Sequence, residues 1–416
     1  MIEVQIGEIL LELGILFLAT VALGGLLHRI RIPAIIAALL VAMAAHYTPL
    51  GERLLSAELY GMFTFLAQLG VLFLLFFIGV QIDFVELRSM GRDILWLTVF
   101  ATGLPFVFGV LAMLGMGYGW GVALVIGMTR MPTAEAVIVP ILDEFGLIRT
   151  RVGRFIVGAG TLDDVLEVAL VAIVSVWIAE DATAAGAVDL WGKLWPILAG
   201  LAGLLTLAVL SYRWILPLLA RWTPRDARGL VMISLLTMLL FGGLSEQAEL
   251  GMVLGAILSG IVMRPTFQKI GIQGDQAIQT FRQMSYGFLG IVFFFWVGMS
   301  ADLAGLAESP LLALLLFLAA SAGKIGGTLL MVPMKKMSFR EALTTGVGLD
   351  ARLTTEIVVA QILYSAKLID LELFTALIAA SSVSTLLIPL WFTLLARRWG
   401  HELHGEPAGL GDENVA

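Results

Sequence analysis

Residues 133–170 read TAEAVIVPILDEFGLIRTRVGRFIVGAGTLDDVLEVAL. Two apolar runs flank a turn that carries Arg149, Arg151 and Arg154, and the second run holds two adjacent acids, Asp163 and Asp164, well inside it. The rest of the chain repeats this texture. Hydrophobic residues make up 59% and charged residues 14% of the 416, with a mean hydropathy of +0.98. A soluble domain carries about a quarter charged residues, so the solvent of this chain is mostly lipid. Backbone groups in hydrocarbon must be hydrogen-bonded, and each apolar run therefore reads as a helix, or as a broken helix shielded by protein. A span needs about 20 residues. Thirteen segments qualify, near 5–27, 33–50, 60–80, 94–115, 118–142, 152–179, 191–212, 228–244, 250–264, 285–300, 311–332, 343–365 and 372–396. The expected fold is an all-α polytopic membrane protein.

Charge placement supports that count. With the N-terminus outside and the C-terminus in the cytoplasm, the inward loops hold 19 Lys and Arg, including Arg88, Arg151, Arg264 and Lys336. The outward loops hold only Arg53, Lys193 and Lys367. Cytoplasmic loops carry such an excess. Three basic residues remain, Arg130, Lys324 and Arg352, and all fall inside spans. Glu3, Glu8 and Glu12 open the chain with no basic region before the first apolar run, which reads as a retained span rather than a secretory signal. Residues 1–398 form one membrane domain, and 399–416 read as a short polar tail expected to be disordered. The net charge of -7 argues against a nucleic-acid partner, and the absence of cysteine excludes thiol chemistry. His28, His46, His401 and His404 lack metal-ligand spacing, so neither a zinc site nor a cofactor is expected.

One repeat is internal. Residues 133–142, TAEAVIVPIL, match 354–363, TTEIVVAQIL, and an arginine precedes each, Arg130 and Arg352. The copies lie in the fifth and twelfth segments, seven apart, so they cross the membrane in opposite directions. The polar positions match as well as the apolar ones, which argues against chance. Spans 1–6 and 8–13 then form inverted repeats, and interrupted helices in matching positions point to a transporter's site.

An ionisable residue inside a span costs several kcal/mol and is a functional candidate by default. Asp163 and Asp164 lie about 11 residues into the sixth segment, roughly 17 Å deep at about 1.5 Å per residue. Adjacent helix positions point about 100° apart, so one carboxylate can meet a protein partner while the other faces a water-filled cavity. Lys324, in SAGKIGGTLL, is mid-span in the eleventh segment, among small residues that admit a neighbouring helix. An aspartate at that depth can partner it, and the set can hold protons or a cation but not both comfortably. A static Asp–Lys bridge is the plainer reading, and it leaves one aspartate unexplained. Pro132 should break the fifth span, and Gly346, Gly348 and the Thr354–Thr355 pair should weaken the twelfth. Arg130 and Arg352 then suit the negative ends, and Glu135 and Glu356 the positive ends, of the half-helices. Each break is expected to be compensated by its own Arg and Glu, or else these pairs are helix-face ion pairs. Exposed carbonyls with Thr129, Thr133 and Thr354 would join an aspartate as cation ligands. Glu167 lies a turn further along the helix, lining an access path or pairing an arginine. GVGLD at 346–350 has one residue too many for an intramembrane aspartyl protease, no strand precedes its glycines, and Phe293–Trp296 reads as lipid-facing or core packing rather than a ligand cage.

The order of these motifs resembles the exchanger domain of the monovalent cation:proton antiporter-2 family, which includes Kef-type potassium systems. The likeness covers residues 5–396 and is most specific over 133–170. It implies a homodimer in a bacterial-type inner membrane, with a mobile core domain working elevator-fashion against a dimerisation scaffold. It implies that Asp164 is the cation and proton site and that Asp163 pairs with Lys324. The DD pair with this lysine resembles the electrogenic sodium/proton branch, whereas Kef-type relatives usually differ at the first aspartate and carry a nucleotide-binding domain, which does not fit after Arg398. Two departures alter the surroundings of Asp164. Thr133 is followed by Ala134 and Glu135 rather than by a small residue and Pro, and Arg352-Leu353-Thr354 replaces Arg-Gly-Glu, with Glu356 displaced. The expected activity is exchange of a monovalent cation, Na+ first, with K+ and Li+ open, for H+, and not an enzymatic reaction. A K+/H+ exchanger or gated K+ efflux system is the alternative, and an intramembrane protease a remote one.

Overall fold

The computed structural model describes residues 2–28, 34–56, 59–82, 89–163, 166, 190–216, 218, 226–248, 250–301, 303, 307, 309–352, 356, 360, 363–364 and 367–404. All regular structure among them is helical. In chain order the main helices are α1 (Ile2–His28), α2 (Ala34–His46), α3 (Tyr60–Gln81), α4 (Gly91–Gly115), α5a (Trp120–Thr129), α5b (Glu135–Glu144) and α6 (151–163). They continue as α7 (Leu190–Leu210), α8 (Ala227–Gln247), α9 (Met252–Ile270), α10 (Ile272–Ser300), α11 (Pro310–Leu329), α12a (Phe339–Leu349) and α13 (Leu371–His404). Eight helical stretches among the described residues are long and apolar enough to cross a membrane, and Ile35–His46 and Trp120–Thr129 are shorter apolar helices.

The helices pack as two bodies. In one, α4 and α11 make the most extensive contact, α5a lies on α4, and α12a and α13 pack on α11. In the other, α3 packs on α9 and α10, α2 on α10, α8 on α9, and α1 on α2. The first body thus contains the two matching units, α4–α5–α6 and α11–α12–α13, each with its middle helix interrupted. Small residues let α4 and α11 approach. A Cβ on Gly323 would overlap the backbone of Leu104 and Pro105, and one on Gly327 the Phe100 carbonyl. The bodies meet chiefly where α5b lies against α3, with a smaller contact between α2 and α13. Gln81 Nε2 donates to Asp143 Oδ1 at 2.7 Å across that seam.

Loops meet at two ends. Arg151 Nη2 donates to the Lys336 carbonyl at 2.7 Å, Lys336 pairs with Asp93 at 2.9 Å, Arg340 pairs with Glu402, and Arg264 reaches the Gln81 carbonyl at 3.3 Å. At the opposite end His46 meets the Met299 carbonyl at 2.6 Å, Leu303 N donates to Tyr47 Oη at 2.8 Å, and Ser309 bonds Glu372 at 3.0 Å. These are the two loop sets that the charge count places on opposite sides.

Two stretches differ from expectation. The tenth helix begins at Ile272, not near 285, and passes through a π-turn at Ser285–Leu289. Residues 272–284 are too polar for an apolar window, yet Gly274, Ala277 and Phe281 bury one stripe. The last helix runs on to His404, through the first residues of the expected tail, and 405–416 lie outside the described residues. Of the two readings left open for the aromatic run, Phe293, Phe294 and Phe295 take the core one.

Asp143 and Glu144 lie just past the expected edge of the fifth span, at the seam between the bodies. Although the Glu144 side chain reaches the surface, protein atoms crowd its carboxyl, and this burial, then the Asp143 charge, push it up to about 7 against the pull of Arg282. A carboxyl held up in this way favours the folded state while it is protonated, so stability should fall as pH rises from the ordinary carboxyl value of 4.5 to about 7. Thermal midpoints in detergent should show that decline in the native protein and a flatter curve in Glu144→Gln. Overpacking costs about 1–3 kcal/mol, so Gly323→Ala should lower the midpoint. Gly326→Ala, whose added carbon would meet only the Leu104 side chain at 3.5 Å, should not.

Candidate functional site

Both predicted breaks occur. Residues 130–134 leave the helix between α5a and α5b, with Pro132 among them, and α12a ends at Leu349, after which 350–352 are non-helical. The broken segments clasp each other. Ala134 N donates to the Ala351 carbonyl at 2.7 Å, and Arg352 Nη1 to the Arg130 carbonyl at 2.6 Å. Half-helix ends buried in the molecule thereby satisfy each other's backbone. From α13, Ser384 donates to the Asp350 carbonyl and Thr385 to the Arg352 carbonyl, each at 2.7 Å.

The arginines compensate the breaks crosswise. Arg130 Nη2 lies 2.7 Å from Glu356 Oε1, in the other repeat, and not on its own Glu135 as expected. Arg352 Nε lies 3.2 Å from Asp350 Oδ1, and its Nη1 is 3.4 Å from Glu356. Ser381 also donates to Glu356. The reason is geometric: the clasp brings each break nearer to the other's side chains than to the far end of its own helix. Glu135 instead seats on α6, where Gly160 leaves the space its carboxylate fills. The displacement of Glu356 along the sequence does not remove it from the site.

Beside the crossing lies the lysine. Lys324 Nζ, completely buried, is 2.8 Å from Asp163 Oδ2 and 2.9 Å from Thr133 Oγ1. The Thr133 hydroxyl proton has two acceptors at 2.9 Å, Asp163 Oδ2 and the Leu349 carbonyl. Thr102, on α4, donates to Asp163 Oδ1 at 2.6 Å. Asp163 therefore has a hydroxyl on each oxygen in addition to the ammonium, and it can remain an anion if the lysine moves. Thr129 does not join this group. Its hydroxyl donates to the Ile126 carbonyl at 2.7 Å and accepts from Arg130 Nη2 at 3.0 Å, the back-bonding usual for a threonine late in a helix. Asp164, Glu167 and Thr354 lie outside the described residues.

Three residues of this site escaped the reading of the sequence. Thr102 is a neutral hydroxyl in an apolar span, which gives no signal. Ser381 likewise gave none. Asp350 was legible, because a charged residue within the twelfth segment meets the same criterion as Lys324.

The profile of the sodium/hydrogen exchanger transmembrane family matches residues 15–398. The chain belongs to that family. Among its relatives in the sodium/hydrogen exchanger family, the Na(+)/H(+)-K(+) antiporter GerN of Bacillus cereus is 25% identical, over 92% of this chain and 95% of GerN. The Na(+)/H(+) antiporter of Enterococcus hirae is 24% identical, over 91% and 95%. The glutathione-regulated potassium-efflux protein KefC of Enterobacter sp. (strain 638) is 28% identical over 80% of this chain, which spans 52% of KefC. The sodium proton antiporter MjNhaP1 of Methanocaldococcus jannaschii, solved at pH 8, superposes with a TM-score of 0.60 at 16% identity, covering 95% of this chain and 98% of that one. This likeness establishes the exchanger fold.

The crossed ion pair is open to test. Removing one partner of a buried pair costs about 3–5 kcal/mol. Glu356→Gln and Arg130→Gln should each lower the thermal midpoint markedly, and the double variant should lose less than the two singly added. Arg130→Gln with Glu135→Gln should instead be close to additive.

Proposed function

We propose that the protein is a secondary antiporter that exchanges a monovalent cation, Na+ first, for H+ across a bacterial-type inner membrane. One observation carries the reading. The buried Lys324–Asp163 pair, at 2.8 Å, stands at the crossing of two broken helices, one residue from Asp164. Around the crossing, Glu135 aside, three bases are matched by three acids: Lys324 with Asp163, Arg352 with Asp350, and Arg130 with Glu356. Asp164 is by sequence a further acid within the sixth segment, and a charge inside a span needs neutralisation. A proton or a cation can supply it, and the two compete for the same carboxylate. The likeness to GerN, a Na(+)/H(+)-K(+) antiporter, and to the Na(+)/H(+) antiporter of Enterococcus hirae supports cation/proton exchange.

In this reading Asp164 carries the exchanged ion, with oxygens of the first break, Thr133 foremost, beside it. Asp163 and Lys324 form a pair that opens as the cation enters. Body one is the core that moves, and body two is the scaffold that holds it and forms the homodimer. The excess of basic residues in one loop set supports a cytoplasmic location for that end, with the N-terminus outside and thirteen spans. GerN and KefC favour K+ as a second substrate.

The test is proton-coupled flux in proteoliposomes with Na+, K+ and Li+ compared in the same preparation. Asp164→Asn should fold, as judged by its thermal midpoint, and exchange none of the three. Near-native flux by that variant would overturn the assignment, and flux of K+ alone would select the second reading.

A further inference from the structure

Asp350 has no part in the exchange just proposed, yet it is among the most buried acids of the described residues, at 0% exposure. Its Oδ1 accepts from Arg352 Nε at 3.2 Å. Its other oxygen, Oδ2, has only the neutral Ser321 hydroxyl alongside it among the described residues. Ser321 is three positions before Lys324 on α11, on the same face of the helix. From the other side, Lys324 Nζ donates to Thr133, and Thr133 reaches the carbonyl of Leu349, the residue before Asp350. The ammonium is thus flanked by one carboxylate that it touches, Asp163, and by a second whose charge acts on it, Asp350, with acceptor capacity open.

We infer that Asp350 is a second seat for the Lys324 ammonium, a positioning residue that receives the lysine when a cation draws Asp163 away from it. The inference rests on the antiport reading above. An ammonium displaced in a buried site must find another anion or give up its proton. Asp163 keeps two hydroxyl donors, from Thr102 and Thr133, after the lysine leaves. Asp350 gains a charged donor at Oδ2, where it has only the Ser321 hydroxyl, while Arg352 holds the other oxygen. The swap therefore leaves no carboxylate oxygen of either acid without a donor, and Lys324 can stay protonated throughout the cycle. Without Asp350, cation entry would require Lys324 to deprotonate. Other charged groups around Asp350 are Arg352 beside it and, beyond Arg352, Glu356 and Arg130.

The experiment is a mutant cycle on the full chain, with Asp350→Asn, Lys324→Ala, their combination and the native protein. It reads the pH midpoint of Na+-driven proton flux in vesicles and, for variants that do not transport, the pH dependence of the Na+-induced rise in thermal midpoint. Asp350→Asn should move the midpoint to higher pH by about one unit, a tenfold change in proton competition. In the Lys324→Ala background the same substitution should leave the midpoint where it is. An equal shift in both backgrounds, or none in the native background, would overturn the inference. If Asp350→Asn does not fold, Asp350→Ser takes its place with the same outcomes. Failure of the native protein to exchange any cation would instead overturn the antiport reading, and would show itself before the cycle begins.

Discussion

A charge removed from water must be answered by another charge or by fixed dipoles, and in this molecule nearly everything else follows from that demand. Two helices break inside the first body, and each break exposes backbone groups that hydrocarbon cannot satisfy. The breaks answer one another through Ala134–Ala351 and Arg352–Arg130, backbone to backbone and guanidinium to carbonyl. Because the clasp is mutual, neither break can be built without the other, and the two repeats are obliged to fold together. The α13 hydroxyls of Ser384 and Thr385 complete the carbonyls that the clasp leaves over.

The same crossing sets the electrostatics. Arginine occupies both breaks where a delocalised, fork-shaped cation can bond several acceptors at once. Arg352 alone reaches Asp350, Glu356 and the Arg130 carbonyl. The lysine stands apart from this network, on a neighbouring helix, with a compact ammonium and short contacts to one carboxylate and one hydroxyl. Arginine holds the frame because it cannot release its proton, and lysine occupies the position where charge must move because its ammonium can change partner or protonation.

How much of this was legible in the sequence differs by residue. Pro132 announced the first break, since it has no N–H to give, and the paired glycines and threonines announced the second. Lys324 and Asp163 were evident as charges without water and proved to be each other's partner. The crossing of Arg130 onto Glu356 was not legible. Spacing along one helix suggests the local pair, and only the three-dimensional clasp shows that the distant acid is nearer. Thr102 was invisible for another reason, because a hydroxyl in an apolar span normally bonds its own helix. The first half of α10 was hidden by its polarity. An apolar window sees composition, and this stretch buries only the stripe of Gly274, Ala277 and Phe281.

The division into two bodies gives the crossing its mechanical setting. Every strong bond of the site joins elements of the first body: α4 through Thr102, α5 through Thr133 and Arg130, α6 through Asp163, α11 through Lys324, and α12 and α13 through the second break. The second body contributes no side chain to those bonds, and it touches the first through the Gln81–Asp143 hydrogen bond. A site wired wholly within one body can shift against the other without breaking its own ion pairs. Were the first body to move as proposed, the cost would fall on the seam, where the contacts among the described residues are few, and the buried charges would travel with their partners. Had Lys324 or either arginine been anchored across the seam, each displacement would have had to separate an ion pair in low dielectric, at a cost that no single monovalent ion could offset.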